Sequence, residues 1–179
     1  MVEELAGCWQ EIRGRIAHTE GAVADNLATP CNLNARSLLV CALATALGGD
    51  QAEARRLEED ADSLGMKGYG LTMEAPRLRI ALLRGDRARA EELLESGEAM
   101  YFAYTAAQAA RLDAFVALDD RGRIEEEAPA LLRPNSYLEP FALRALGVAR
   151  QDAELLGRAL ARFESMRLDW HAGQTRALF

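Results

Sequence analysis

The apolar positions of this chain recur at helical spacing almost from the first residue. Val2, Leu5, Trp9, Ile12 and Ile16 step by three and four, which places them on one face of a helix expected over 2–18, with Glu3, Glu4, Glu11, Arg13 and Arg15 opposite. Gly21 interrupts the pattern, a short helix is expected over 22–28, and Pro30 closes it because proline lacks a donor and disfavours helix in its predecessor. Asn32 and Asn34 are candidate caps for the next helix.

Beyond residue 35 the pattern repeats. Four short polar turns, Gly48-Gly49-Asp50, Arg84-Gly85-Asp86, Asp119-Asp120-Arg121 and Arg150-Gln151-Asp152, each follow an apolar helical run and precede a more acidic one. Their aspartates lie 36, 34 and 32 residues apart. An aspartate just before a helix accepts a hydrogen bond from an otherwise unpaired amide, so all four read as N-caps, and Glu53 adds a capping-box spacing to the first. One helical hairpin cannot hide its apolar face alone, so hairpins of this period stack on their neighbours. Helices are expected over 35–48, 51–64, 72–84, 87–96, 101–118, 122–132, 137–149 and 152–166, with a last one from about 170. Pro76 is expected to start or kink its helix.

Composition strengthens this picture. The 179 residues include 34 Ala and 27 Leu but only 15 Val, Ile and Thr together, the balance of a helical protein. The fold class is therefore all-α. The expected arrangement is a superhelical stack of antiparallel helix pairs forming one domain over 1–179. It divides into an N-terminal helical cap (1–30), repeats over 35–68, 71–98, 101–133 and 137–168, and the start of a further helix over 169–179.

The chain resembles the tetratricopeptide repeat. Aligning the turn aspartates puts Ala54, Ala90 and Ile124 at its small or apolar position in the second helix. Leu57 and Leu93 follow, with Ala61 and Gly97 where it wants a small residue. The stretch Ala161 to Leu178 is also similar to the C-terminal repeats of bacterial signalling proteins that join a nucleotide cyclase or helix-turn-helix regulator to an ATPase module. That likeness implies a non-catalytic interaction or regulatory module, with any cyclase or ATPase activity upstream. In tetratricopeptide folds the first helices line the groove, and their register places Arg36, Leu39, Arg79, Asp113 and Phe141 at groove positions.

Charge decides which partners to expect. A net charge of −7 lacks the basic face a nucleic-acid binder needs. Basic residues are 20 Arg and the single Lys67, which reads first as codon bias of a bacterial source. Arginines concentrate on the first helices of the hairpins (Arg36, Arg77, Arg79, Arg84, Arg111, Arg144). Carboxylates concentrate on the second helices, among them Glu53, Glu58, Glu59, Glu91, Glu92 and Glu125 to Glu127. Carried onto the family's groove, this asymmetry favours a protein or peptide partner of acidic character. Self-association is left open.

No apolar run reaches the length of a membrane span, and the N-terminus has no signal-peptide pattern. Three cysteines without a paired motif, Cys8, Cys31 and Cys41, suit a reducing cytoplasm and read as small buried hydrophobes. His18 and His171 are the only histidines, and their spacing to the cysteines fits no metal site. No catalytic residue, cofactor or metal is expected. Arg84-Gly85-Asp86 reads as a repeat turn, and Glu125-Glu126-Glu127 as a solvated helix face. Tyr101, Phe102 and Tyr104 concentrate scarce aromatics, and Tyr101 and Tyr104 are candidate contacts for a ligand or partner in the alternative reading, a small-molecule sensor. A stand-alone Cys/His enzyme is the third reading.

Overall fold

The computed structural model describes residues 2–29, 31–65, 71–95 and 104–179. All regular structure among them is helical. The chain forms two compact units, Met1–Tyr104 and Thr105–Phe179. Among the described residues no helix is long and apolar enough to cross a membrane.

In the first unit, α1 (Val2–Ala6), α2 (Trp9–Arg13) and α3 (Ile16–Asp25) precede α4 (Asn32–Leu47), α5 (Gln51–Ser63), α6 (Leu71–Leu83) and α7 (Arg87–Leu94). The long α4 is the hub, packing on α2, α3, α5 and α6, while α6 pairs with α7. Its residues 35–46 are all buried except Ser37, which suits a helix covered on several sides. The second unit holds α8 (Tyr104–Leu118, its first residue in the first unit), α9 (Arg121–Glu127), a 3-10 turn (Ala128–Leu131), α10 (Glu139–Arg150), α11 (Ala153–Ser165) and α12 (Asp169–Arg176). There α10 packs on α11, α11 on α12, and α9 and the 3-10 turn on α10.

The four polar turns share one geometry. The residue before each aspartate has positive φ: Gly49 at 93°, Gly85 at 71°, Asp119 at 56° and Gln151 at 55°. Each aspartate amide donates five residues back, to the carbonyls of Thr45, Ala81, Phe115 and Gly147. Each side chain then caps the following helix: Asp50 accepts from the Glu53 amide, Asp86 from Arg89, Asp120 from Arg123, and Asp152 from Glu154 and Leu155. This closes the first helix with a left-handed residue and opens the second with a carboxylate in a single stroke. Arg84-Gly85-Asp86 is thus one of four equivalent turns.

The N-terminal segment departs from expectation. The single helix over 2–18 is three pieces, because Gly7 turns left-handed (φ 74°) and the chain turns again at Gly14 and Arg15. The continuous stripe is therefore lost: Trp9 and Ile12 are buried, but Val2 is 77% exposed and Glu4, expected outside, is buried. Gly21, expected as a break, lies inside α3, and that helix ends at Asp25 rather than 28. Asn32 opens α4 instead of capping it, and the Cys31 sulfur accepts the Leu33 amide at 3.4 Å. Pro76 lies in the second turn of α6 rather than at its start, where it forgoes one backbone hydrogen bond. The helix expected over 122–132 ends at Glu127 and tightens into the 3-10 turn, with Pro129 near its start.

Candidate functional site

Helix α4 carries two of the groove candidates inward. Arg36 and Leu39 are buried, as is Arg79 on α6. In the second unit Phe141 is fully buried, and Asp113 is largely covered and bonded to Arg144. These side chains are buried or largely covered within their own units. Tyr101 lies outside the described residues, and Tyr104 is 44% exposed.

The charge asymmetry between first and second helices also has an internal use. Arg77 on α6 pairs with Asp62 on α5, and Arg84 reaches Glu58 at 2.7 Å and the Gln51 side chain at 3.1 Å. Arg111 on α8 grips Glu127 through two nitrogens, and Arg150 at the end of α10 grips Glu125 in the same way. Forked guanidinium–carboxylate pairs fix the relative position of two helices more firmly than a single contact does. Of the arginines that pointed to an acidic partner, Arg36, Arg77, Arg84, Arg111 and Arg144 are each paired with a carboxylate of the chain.

Two buried ion pairs stand apart. In the second unit Arg144 (6% exposed) bonds Asp113 and lies over the rings of Phe141 and Phe163, 5.3 and 5.1 Å from their centroids. It donates to the Thr175 hydroxyl at 3.4 Å and the His171 carbonyl at 3.5 Å. His171 is itself fully buried, stacked on Phe163 and edge-on to Phe141. In the first unit Arg36 on α4 donates one hydrogen bond of 2.9 Å to Oε1 of Glu4 on α1, and its other terminal nitrogen lies in ion-pair contact with Oε2, also at 2.9 Å.

Glu4 and Arg36 lie in the wall of a half-open cavity of about 260 Å³ formed by α1, α2, α3 and α4. Ile12, Val40 and Cys41 give it a buried lining, and Leu33, Ser37, Arg15 and His18 an exposed rim. A second ion pair, Arg15 to Glu3 at 2.8 Å, borders it. Burial pushes the Cys41 thiol up, only partly offset by a hydrogen bond with Thr19. The thiol is therefore protonated at neutral pH and is a poor nucleophile, although the fold brings His18 and Cys41 to one cavity. Cys8 and Cys31 are half-buried and form no disulfide. Among the described residues no three His, Cys, Asp or Glu side chains are placed to hold a metal ion.

A second, smaller cleft of about 170 Å³ runs along α5, α6 and α7 and is lined by Glu58, Asp62, Arg77, Arg84, Asp86 and Arg89. Its charges are taken up by pairs such as Arg77–Asp62, Arg84–Glu58 and Arg89–Glu92. Close by, burial pushes the Glu74 carboxyl above its ordinary value despite Arg77 and Arg89.

Sequence reading missed the cavity because three of its walls depend on the break at Gly7 and the short α2. The one available signal was Gly7 itself, a residue free to turn the chain left-handed. No protein-family model, characterised protein or solved structure matches the chain.

Proposed function

We propose that this chain is a non-catalytic helical-repeat module that regulates a bacterial signalling protein of the cytoplasm through contact with another protein. The observation that carries this reading is the shared turn: four hairpins, each closed by a left-handed residue and opened by a capping aspartate. Repetition of one supersecondary unit is how stacked-hairpin modules are built, and such modules present extended surfaces rather than reaction centres. The proposal includes tetratricopeptide-like stacking of the hairpins. It also includes membership of a larger cyclase- or regulator-type polypeptide, on the likeness of residues 161–178 to the terminal repeats of such proteins.

Since Arg36, Arg77, Arg84, Arg111 and Arg144 of the first helices are ion-paired, we place the contact surface on exposed carboxylates of the second helices, with Glu59 and Glu91 as its representatives in the first unit. The partner surface is then basic rather than acidic.

Capture experiments from source cells test this, using the chain and a Glu59→Arg/Glu91→Arg variant as baits, with helicity checked by circular dichroism. The expected result is a stoichiometric partner bound by the chain and lost with the variant. A partner retained equally by both baits removes the proposed surface. No partner beyond those of an unrelated helical bait removes the function.

A further inference from the structure

The cavity of the first unit combines features that repeat packing does not require. A buried Arg–Glu pair costs several kcal/mol per ion in lost hydration, and an apolar replacement is often no less stable. Here the Arg36–Glu4 pair sits in the wall of an open space rather than in filled core. Above it the Arg15–Glu3 pair is accessible, with side chains 62% and 32% exposed. The lining thus holds two guanidiniums and two carboxylates, which attract neither a lone anion nor a lone cation by net charge. Ile12 and Val40 beneath and Leu33 at the rim offer an apolar seat beside these charges. The volume, about 260 Å³, lies just below the range of about 300–1,000 Å³ for drug-sized ligands, so the occupant is smaller than those.

We infer that this cavity binds a small zwitterion with an apolar side chain, the chemistry of a free aliphatic α-amino acid. The ligand's ammonium lies against Glu3 and its carboxylate against Arg15, antiparallel to that ion pair, so that four alternating charges form a ring without breaking the existing contact. Its side chain packs on Ile12, Val40 and Leu33. The Arg36–Glu4 pair stays intact and keeps the wall polar, which disfavours a wholly apolar guest. This goes beyond the interaction surface proposed above and does not depend on it.

His18 gives the inference a local reporter. It lines the cavity, whereas the other histidine, His171, is buried in the second unit. The whole chain is titrated with L-leucine to about 10 mM while the imidazole proton resonances are followed by NMR. Parallel titrations use 4-methylpentanoate, which lacks the ammonium, and isopentylamine, which lacks the carboxylate. The expected result is a saturable shift of the His18 resonance with leucine, with His171 unmoved and each single-charge analogue weaker by about tenfold or more. The rim variant Glu3→Gln/Arg15→Gln, at one half-buried and one exposed position and with helicity checked by circular dichroism, should weaken leucine by a similar factor. No saturable shift, equal shifts with either analogue, or undiminished binding by the rim variant would overturn the inference.

Discussion

Each unit buries an arginine from the first helix of a hairpin and satisfies it with a carboxylate from an earlier helix, yet the two sites are finished differently. Arg144 is enclosed: Phe141 and Phe163 flank its guanidinium, Asp113 neutralises it, and Thr175 and the His171 carbonyl take further donors. Arg36 has Glu4 on one side and an open cavity on the other. The same pairing completes a core in one place and furnishes a polar wall in the other. The difference traces to what surrounds each site. Three aromatic or imidazole rings from α10, α11 and α12 fill the space around Arg144. Short helical pieces separated at Gly7 and Gly14 leave space beside Arg36.

The sharpest way to break this comparison is to remove each arginine. Arg144→Ala removes the Asp113 pair, both ring contacts and the bonds to Thr175 and the His171 carbonyl, and urea unfolding should show a loss of about 3–5 kcal/mol. Arg36→Ala should cost less, on the order of 2 kcal/mol, because water from the cavity reaches the abandoned Glu4 carboxylate. Equal losses would mean that the cavity gives Glu4 no access to water.

Packing around the hairpins yields the next effect. A methyl group on Gly147 would lie 2.9 Å from the Leu156 side chain and 3.0 Å from the Leu156 amide nitrogen. Gly147→Ala should therefore destabilise by about 1–3 kcal/mol, since backbone cannot step aside. Gly48, which meets only the flexible end of Arg13, should tolerate the same change far better. Thermal melts of the two variants check the contrast.

The shared turn predicts a smaller, pH-dependent effect. The Arg123 amide, followed by its guanidinium, holds the Asp120 carboxyl below its ordinary value. Its contribution is therefore present above the unfolded carboxyl's titration, near pH 3.9, and fades as pH falls through the lower folded value. Asp120→Ala should cost about 1 kcal/mol at neutral pH, with the gap closing in acid.

Glu74 runs the other way. Burial raises its carboxyl, so its folded form favours the proton and its contribution is lost as pH rises through the folded value. Glu74→Gln should raise the melting temperature slightly at pH 7, an advantage that shrinks as the pH falls through the raised folded value and is gone below about 4.

Much of the hairpin architecture was legible because it is written locally. A turn needs a left-handed residue and a cap within two adjacent positions, and Gly49-Asp50 and Gly85-Asp86 announce both. Asp119 and Gln151 take the left-handed place without glycine, and there only the repeat spacing gave the turn away. The N-terminal helices were misjudged because one left-handed glycine breaks the helix, so the residues before and after it no longer share one face, and Glu4 lies inward while Val2 lies outward. The partners of the first-helix arginines were not legible for a different reason. Which carboxylate an arginine meets is a tertiary matter, so Arg77–Asp62 and Arg150–Glu125 could not be read from sequence spacing.

The central claim is that the buried arginines Arg36 and Arg144 do different work, and paired double-mutant cycles test it most directly. Stability would be measured for Arg144→Met, Asp113→Leu and both, and likewise for Arg36→Met, Glu4→Leu and both. The account predicts a coupling energy for Arg144–Asp113 clearly larger than that for Arg36–Glu4, because two rings and two further acceptors hold the Arg144 guanidinium in place against Asp113. Equal couplings, or a larger one for Arg36–Glu4, would contradict it.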